Sequence, residues 1–138
     1  MNESEFAYQA HLIFGGDGDD RILAGSGDDT IWGGAGDDTI VGDQTDGPVF
    51  DSSHADIFLF ASGHGNDVLE GFSAEDILDL SPLDAGFSSL EEVYAATEDA
   101  TPVSDGYNFA LLIHTSATDS ILLQFAEEPD ITALTIVI

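Results

Sequence analysis

GGDGDDRIL (15–23), AGSGDDTIW (24–32) and GGAGDDTIV (33–41) are three nine-residue units in tandem. Number each unit from one to nine. Gly then stands at position two (Gly16, Gly25, Gly34) and at position four (Gly18, Gly27, Gly36). Asp stands at position six (Asp20, Asp29, Asp38) and Ile at position eight (Ile22, Ile31, Ile40). Repetition at a fixed short period marks a stacked architecture in which each unit buries its apolar residue against its neighbours. The phase runs outward from the block, to Ile13 on one side and to Val49 and Phe58 on the other. Position six continues as Gly47 and Asp56, so the register spans about residues 6 to 60.

Each position has a physical task. A chain that turns within six residues needs φ > 0 or close backbone approach, and Gly supplies both. With side chains absent, the carbonyl oxygens of the turn can converge on a cation. The Asp adds a hard anionic oxygen, which suits Ca²⁺ at roughly 2.3–2.6 Å. The last three residues form a short strand whose middle residue points inward, because strand side chains alternate. Ile13, Ile22, Ile31, Ile40, Val49 and Phe58 are therefore the expected core ladder, with Thr30 and Thr39 facing out. By the same parity the Asp at position five (Asp19, Asp28, Asp37) reads as surface charge.

Two units make one coil, with one strand on each face. Units eighteen residues apart then lie on the same side, about 4.8 Å apart along the stack. This spacing predicts Asp20 beside Asp38, and Asp38 beside Asp56. Two bare carboxylates about 5 Å apart repel by roughly 3 kcal/mol at an effective dielectric near 20. A divalent cation reverses that sign, so folding is expected to depend on Ca²⁺.

GGDGDD, GSGDDT and GGAGDDT resemble the RTX repeats of exported bacterial toxins, serralysin-type metalloproteases, lipases and alginate epimerases. The segment ADIFLFASGHGNDVLEGFSAEDILDLSPL (55–83) is similar to the one that follows the repeats in serralysin-like C-terminal domains. The resemblance covers about residues 13 to 83 by motif, and 84 to 138 by general layout. It implies that each Ca²⁺ sits between neighbouring same-side turns. One turn gives carbonyls from positions two and four plus its Asp; the next gives carbonyls from one and three plus its Asp. One implied site uses Gly16, Gly18 and Asp20 with Gly33, Ala35 and Asp38. A second uses Gly34, Gly36 and Asp38 with Asp51, Ser53 and Asp56. A third, weaker site uses Gly25, Gly27 and Asp29 with Gly42 and Gln44, because Gly47 replaces its second Asp; Asp46 or water is the substitute there. A half-site above Asp29 lacks an acid, since His11 stands in that place. Asp67, in GHGND at 63–67, falls two residues out of phase and marks the end of the roll; it is kept as a candidate ligand. Asp76 reads as solvated.

At 138 residues the chain is one domain by length. Its net charge is −27, from 28 acids against a single base, Arg21. Self-repulsion of that size opposes a compact state, and bound Ca²⁺ relieves part of it. Adaptation to a salty environment is a compatible reading of the same surface. The charge excludes nucleic acid as a partner, since no basic patch could contact phosphate. It also disfavours anionic lipids and anionic polysaccharides unless Ca²⁺ bridges them. There is no Cys, so the metal takes the place of disulfides as the staple. MNESEFAYQAHLIF has no basic segment and no long apolar run, unlike a secretory signal peptide. No stretch reaches the roughly 18 apolar residues of a membrane helix.

The resemblance implies export through a type I secretion system that reads an uncleaved C-terminal signal. LTIVI (134–138), after the acids Glu127, Glu128 and Asp130, suits such a terminus as well as a final strand. Extracellular modules bind Ca²⁺ at roughly 10⁻⁴–10⁻³ M, so the chain stays unfolded in the cytosol and folds outside.

Residues 61–138 read as a cap on the roll. Ile57–Phe60, Ile77–Leu80, Tyr107 to Ile113, Ser120–Phe125 and Thr135–Ile138 read as strands, and 99–106 as a loop. Ser89-x-x-Glu92 opens a short capped helix. The expected fold is all-β: a right-handed parallel β-roll continuing into an antiparallel β-sandwich cap with one short helix.

Catalytic chemistry is thin. His11, His54, His64 and His114 form no HExxH motif, and there is no GxSxG. Two functional classes remain. One is a Ca²⁺-dependent folding and export module, free-standing or the non-catalytic C-terminal part of a larger secreted protein. The other is an adhesive module holding a neutral glycan through Trp32, Tyr8 or Tyr107.

Overall fold

The computed structural model describes residues 9–43, 54–84 and 86–138. Among the described residues, eleven strands form two sheets, numbered in chain order. β1 is Leu12–Asp17, β2 Arg21–Gly25, β3 Thr30–Ala35 and β4 Thr39–Asp43. β5 is Ile57–Leu59, β6 Asn66–Glu70, β7 Ile77–Asp79 and β8 Thr97–Ala100. β9 is Phe109–His114, β10 Ser120–Phe125 and β11 Thr135–Val137. One sheet has the order β1-β3-β5-β7-β11; the other has the order β2-β4-β6-β10-β9-β8. Every pairing in the first sheet is parallel. The chain therefore winds between two facing parallel sheets as a β-roll. Antiparallel pairing is confined to β8–β9–β10 at one edge of the second sheet.

Position eight fills the space between the sheets. On the first sheet Ile13, Ile31, Phe58, Leu78 and Ile136 stand in register. On the second, Ile22, Ile40, Leu69, Leu123 and Leu111 do the same. Most of these side chains are buried in one continuous core. Phe58 thus pairs with Ile31, not with Ile40 as the eighteen-residue phase predicts. Val49 lies outside the described residues.

The bonds between coils explain the change. In unit after unit the position-seven N–H donates to the position-six carbonyl of the coil before it. The pairs are Thr30 to His11, Thr39 to Asp20, Ile57 to Asp29, Val68 to Asp38 and Ile77 to Asp56, each 2.8 Å long. The position-six carboxylate accepts a second N–H from the same neighbour, as Asp56 does from Asp29. The unit at 42–50 has Pro48 at position seven, with no N–H to give, and Gly47 at position six, with no carboxylate. The unit at 51–59 offers both through Ile57 and Asp56, and it is this unit that pairs with β3.

The parallel stack also runs past residue 60. Phe60 and Ala61 are a two-residue spacer; after them GHGND resumes the phase within the unit 62–70, and 71–79 follows it directly. Gly63 and Gly65 take positions two and four with φ +82° and +94°. β6 and β7 are the strands of these units. Asp67 is therefore in phase with the turn of its own coil and opens a strand instead of closing the roll.

The short helix α1, Leu90–Ala95, starts where Ser89-x-x-Glu92 predicts. The Ser89 hydroxyl accepts from the Glu92 N–H, while the Glu92 carboxylate reaches the Ser88 N–H at 2.7 Å. β8 overlaps the start of the segment expected to be a loop. The remainder of that loop is held by the buried side chain of Gln124, whose carbonyl accepts from Val103 and Ser104. No helix among the described residues is long and apolar enough to cross a membrane.

Candidate metal centre

The turns at the two edges of the roll bring the repeated glycines and aspartates together. Gly16, Gly18, Gly25, Gly27, Gly34 and Gly36 all have φ between +103° and +127°. That backbone strongly disfavours any side chain. The turns also stack closely: a Cβ at Gly34 would collide with the Gly16 carbonyl oxygen, and one at Gly36 with that of Gly18. On this edge the carbonyl oxygens of one turn therefore lie close against the glycines of the next.

Asp20, Asp38 and Asp67 form a ladder on one edge. The Asp20 N–H donates to Asp38 Oδ1 at 2.9 Å, and the Asp38 N–H to Asp67 Oδ1 at 2.8 Å. Asp29, Asp56 and Asp76 form the ladder on the other edge. The Asp29 N–H donates to Asp56 Oδ1 at 2.8 Å and the Asp56 N–H to Asp76 Oδ1 at 3.0 Å. His11 heads this second ladder, with its N–H and its ring Nδ1 both on Asp29 Oδ1.

Three expected neighbourhoods are corrected by these ladders. Asp38 faces Asp67, not Asp56. Asp29 faces Asp56, so its edge is not short of an acid. Gly42 lies against Asp56, where a Cβ would collide with the carboxylate. Asp76 is buried, not solvated, and Gln44, Asp46, Asp51 and Ser53 lie outside the described residues. The pairing of Asp20 with Asp38, across Gly16 against Gly34, has the geometry that the phase predicts.

The electrostatics of the ladders are unusual. Asp29, Asp38, Asp56, Asp67 and Asp76 are all buried, at 1% to 3% exposure. The Oδ2 atoms of Asp20, Asp29 and Asp38 are buried without a hydrogen-bond partner. An unpartnered buried anionic oxygen is costly and is rare in folded proteins. Burial pushes the Asp38 carboxyl above its ordinary range, and the charges of Asp67, Asp20 and Asp19 push the same way against the Asp20 N–H. Each of these features becomes favourable if a cation sits at the oxygen.

The donor set fits Ca²⁺. Among the described residues no three His, Asp or Glu side chains gather into one cluster. A cation here would complete its shell from backbone carbonyls and water, and Ca²⁺, which takes 6–8 oxygens in flexible geometry, accepts them readily.

The repeat segment has a family match that agrees with this chemistry. Residues 14–46 match the RTX calcium-binding nonapeptide repeat, a model of four copies. The turns within residues 14–46 are the ones that match RTX repeats. Among solved structures, the extracellular lipase LipA from Serratia marcescens shares the fold, with a TM-score of 0.52 at 22% sequence identity. The match covers 90% of this chain and 20% of the lipase, so the chain spans about a fifth of that protein's length. No curated protein sequence matches.

Position five carries more structure than surface charge. The Asp37 N–H donates to Asp19, the Asn66 N–H to Asp37, and the Ala55 N–H to Asp28, at 2.8 to 3.0 Å. These exposed carboxylates tie coil to coil in the direction opposite to position six. The sequence cue was the doubled Asp of GDD, which occurs in all three units.

Proposed function

We propose that the chain is a Ca²⁺-dependent folding and export module of an extracellular bacterial protein. The observation that carries this reading is the set of three buried, unpartnered carboxylate oxygens on Asp20, Asp29 and Asp38, set in glycine turns. On one edge, carbonyls of Gly16 and Gly18 with Asp20, and of Gly33 and Ala35 with Asp38, would hold one ion. On the other edge, Gly25, Gly27 and Asp29 with Asp56 would hold another. Bound Ca²⁺ supplies a divalent charge that turns carboxylate repulsion into attraction. Without it, a chain of net charge −27 is held open by its own field.

The rest of the reading follows from that switch. In the low-Ca²⁺ cytosol the chain stays extended enough to thread an exporter, and it folds on meeting external Ca²⁺. Thr135–Val137 and the acids before it are the segment that the type I secretion machinery would read. The module as a whole, residues 1–138, is non-catalytic and serves whatever longer protein it belongs to. Far-ultraviolet circular dichroism across a chelator titration tests the folding step. Strand signal should appear over roughly 10⁻⁴–10⁻³ M free Ca²⁺; a spectrum indifferent to chelator overturns the reading. Export of a reporter fused before this chain, with and without residues 134–138, tests the secretion step.

A second reading draws on Phe14 and Trp32, whose rings lie 6.1 Å apart on the outer face of the first sheet. Phe14 is 63% exposed and lines a shallow cleft with Trp32 and Ala61. Such a platform could stack a neutral sugar. Co-sedimentation with insoluble neutral polysaccharide, with and without Ca²⁺, separates this reading from the first.

A further inference from the structure

Asp67 differs from the carboxylates above it on its edge. The second oxygens of Asp20 and Asp38 have no partner, whereas Asp67 Oδ2 lies 2.6 Å from His64 Nδ1. His64 is at position three of the same turn, where the other units carry Asp17, Ser26 and Ala35. Its ring is buried, 2% exposed, with Phe60 edge-on at 5.1 Å. Its other nitrogen, Nε2, lies 2.7 Å from Thr115 Oγ1. An ionised carboxylate only accepts, so Nδ1 carries the proton and Nε2 is free to accept from the threonine hydroxyl.

We propose that His64 is the protein's own substitute for a cation at Asp67, so that the ion array on this edge stops at Asp38. The imidazole supplies one directed donor to the oxygen that the upstream turns leave bare. Through Thr115 it also fastens the turn to the following one, where the Ser120 N–H donates to the Gly65 carbonyl at 2.9 Å and the Gly63 N–H to Asp119 at 3.0 Å. The opposite edge ends in a comparable way without histidine: Asp76 Oδ2 accepts the Ser73 N–H at 2.7 Å. The acidic ladders are thus open to cations in the early coils and closed by the protein's own donors in the later ones.

This inference rests on the Ca²⁺ reading of the upstream turns, and the test keeps the two apart. Long-range ¹H–¹⁵N correlation on the full chain reports the His64 ring. The expected result is a slowly exchanging Nδ1 proton in excess Ca²⁺, where the chain is folded. Equilibrium dialysis should show that His64→Ser, which bares Asp67, takes up one more Ca²⁺ than the parent chain. Thr115→Val keeps Asp67 covered and should leave the ion count unchanged. Absence of the Nδ1 proton in excess Ca²⁺ overturns the proposal, as does an ion count for His64→Ser equal to the parent's. If the serine variant does not fold, the ring proton of the parent chain decides. Failure of the calcium reading looks different: amides of Asp20, Asp29 and Asp38 would then ignore Ca²⁺ altogether.

Discussion

Asp29 donates its backbone N–H to the carboxylate of Asp56 across twenty-seven residues of chain, and both residues are buried. The step is nine residues longer than one coil of the repeat. It puts Asp56 on the edge of Asp29 and leaves Asp38 to Asp67. Energetic coupling should follow the contacts, not the sequence phase. In saturating Ca²⁺, a double-mutant cycle of Asp29→Ala with Asp56→Ala should give an interaction energy above about 0.5 kcal/mol, while Asp38→Ala with Asp56→Ala should be additive within about 0.5 kcal/mol. Equilibrium urea unfolding measures both, and the reverse pattern would return Asp56 to the other edge.

Asp38 has a buried oxygen with no partner and acidic neighbours on both sides. Asp38→Asn removes the charge and keeps the shape. Its effect should change sign with the metal. In chelator, the residual strand signal should rise, because an uncompensated buried charge has gone. In the Ca²⁺ titration the midpoint should rise tenfold or more, about 1.4 kcal/mol. A variant that is weaker under both conditions would mean that Asp38 serves only as a hydrogen-bond acceptor.

The outer ladder is testable separately. Asp37 is exposed, yet it accepts the Asn66 N–H at 2.8 Å. Asp37→Ala should cost about 1 kcal/mol of stability in Ca²⁺. Asp37→Asn, which retains an acceptor, should recover most of that. Plain surface charge would make both changes neutral in urea melts.

Much of this was legible in the sequence. Position eight marked the core because strand side chains alternate, and Ile22, Ile31 and Ile40 are buried accordingly. Asp20 and Asp38 were legible as neighbours because nothing interrupts the period between them. Beyond Gly42 a residue count stops being a guide. The roll is built on hydrogen bonds, and Pro48 and Gly47 supply neither the position-seven donor nor the position-six carboxylate that join coils. Reading the position-seven donor and the position-six acceptor, instead of the glycines, would have found Ile57 with Asp56 and Val68 with Asp67. The bond between His64 and Asp67 was not legible, since a histidine between two turn glycines has no pattern that gives its partner.

Glycine positions of the same type differ in consequence. Gly16 and Gly34 have φ of +113° and +116°, but only at Gly34 would a Cβ strike the backbone of the neighbouring turn. Gly16→Ala should therefore cost roughly 1–3 kcal/mol from strain alone. Gly34→Ala should cost clearly more, at least about 3 kcal/mol, because the coils must also separate. Urea midpoints at fixed Ca²⁺ compare the two; equal losses would mean that the turns are not in contact.

Tyr107 supplies the high-pH limit. Burial, helped by the charge of Glu70, pushes its phenol up to about 12. The folded chain favours the neutral ring, so this stability is fully present below the unfolded value near 10 and is lost as pH rises toward 12. In a background with Tyr8→Phe and Tyr94→Phe, phenolate absorbance should rise near pH 12 and not near 10. Tyr107→Phe should remove the corresponding loss of stability in alkali.

The direct pairing of β3 with β5 and of β4 with β6 has a practical meaning. Ten residues of sequence separate Asp43 from His54. Closing a loop costs only about 0.6 kcal/mol more for each doubling of its length. Because β3 holds β5 and β4 holds β6 directly, an epitope, a peptide ligand or a whole small protein inserted in that interval could be carried as cargo while the coils keep their grip on each other.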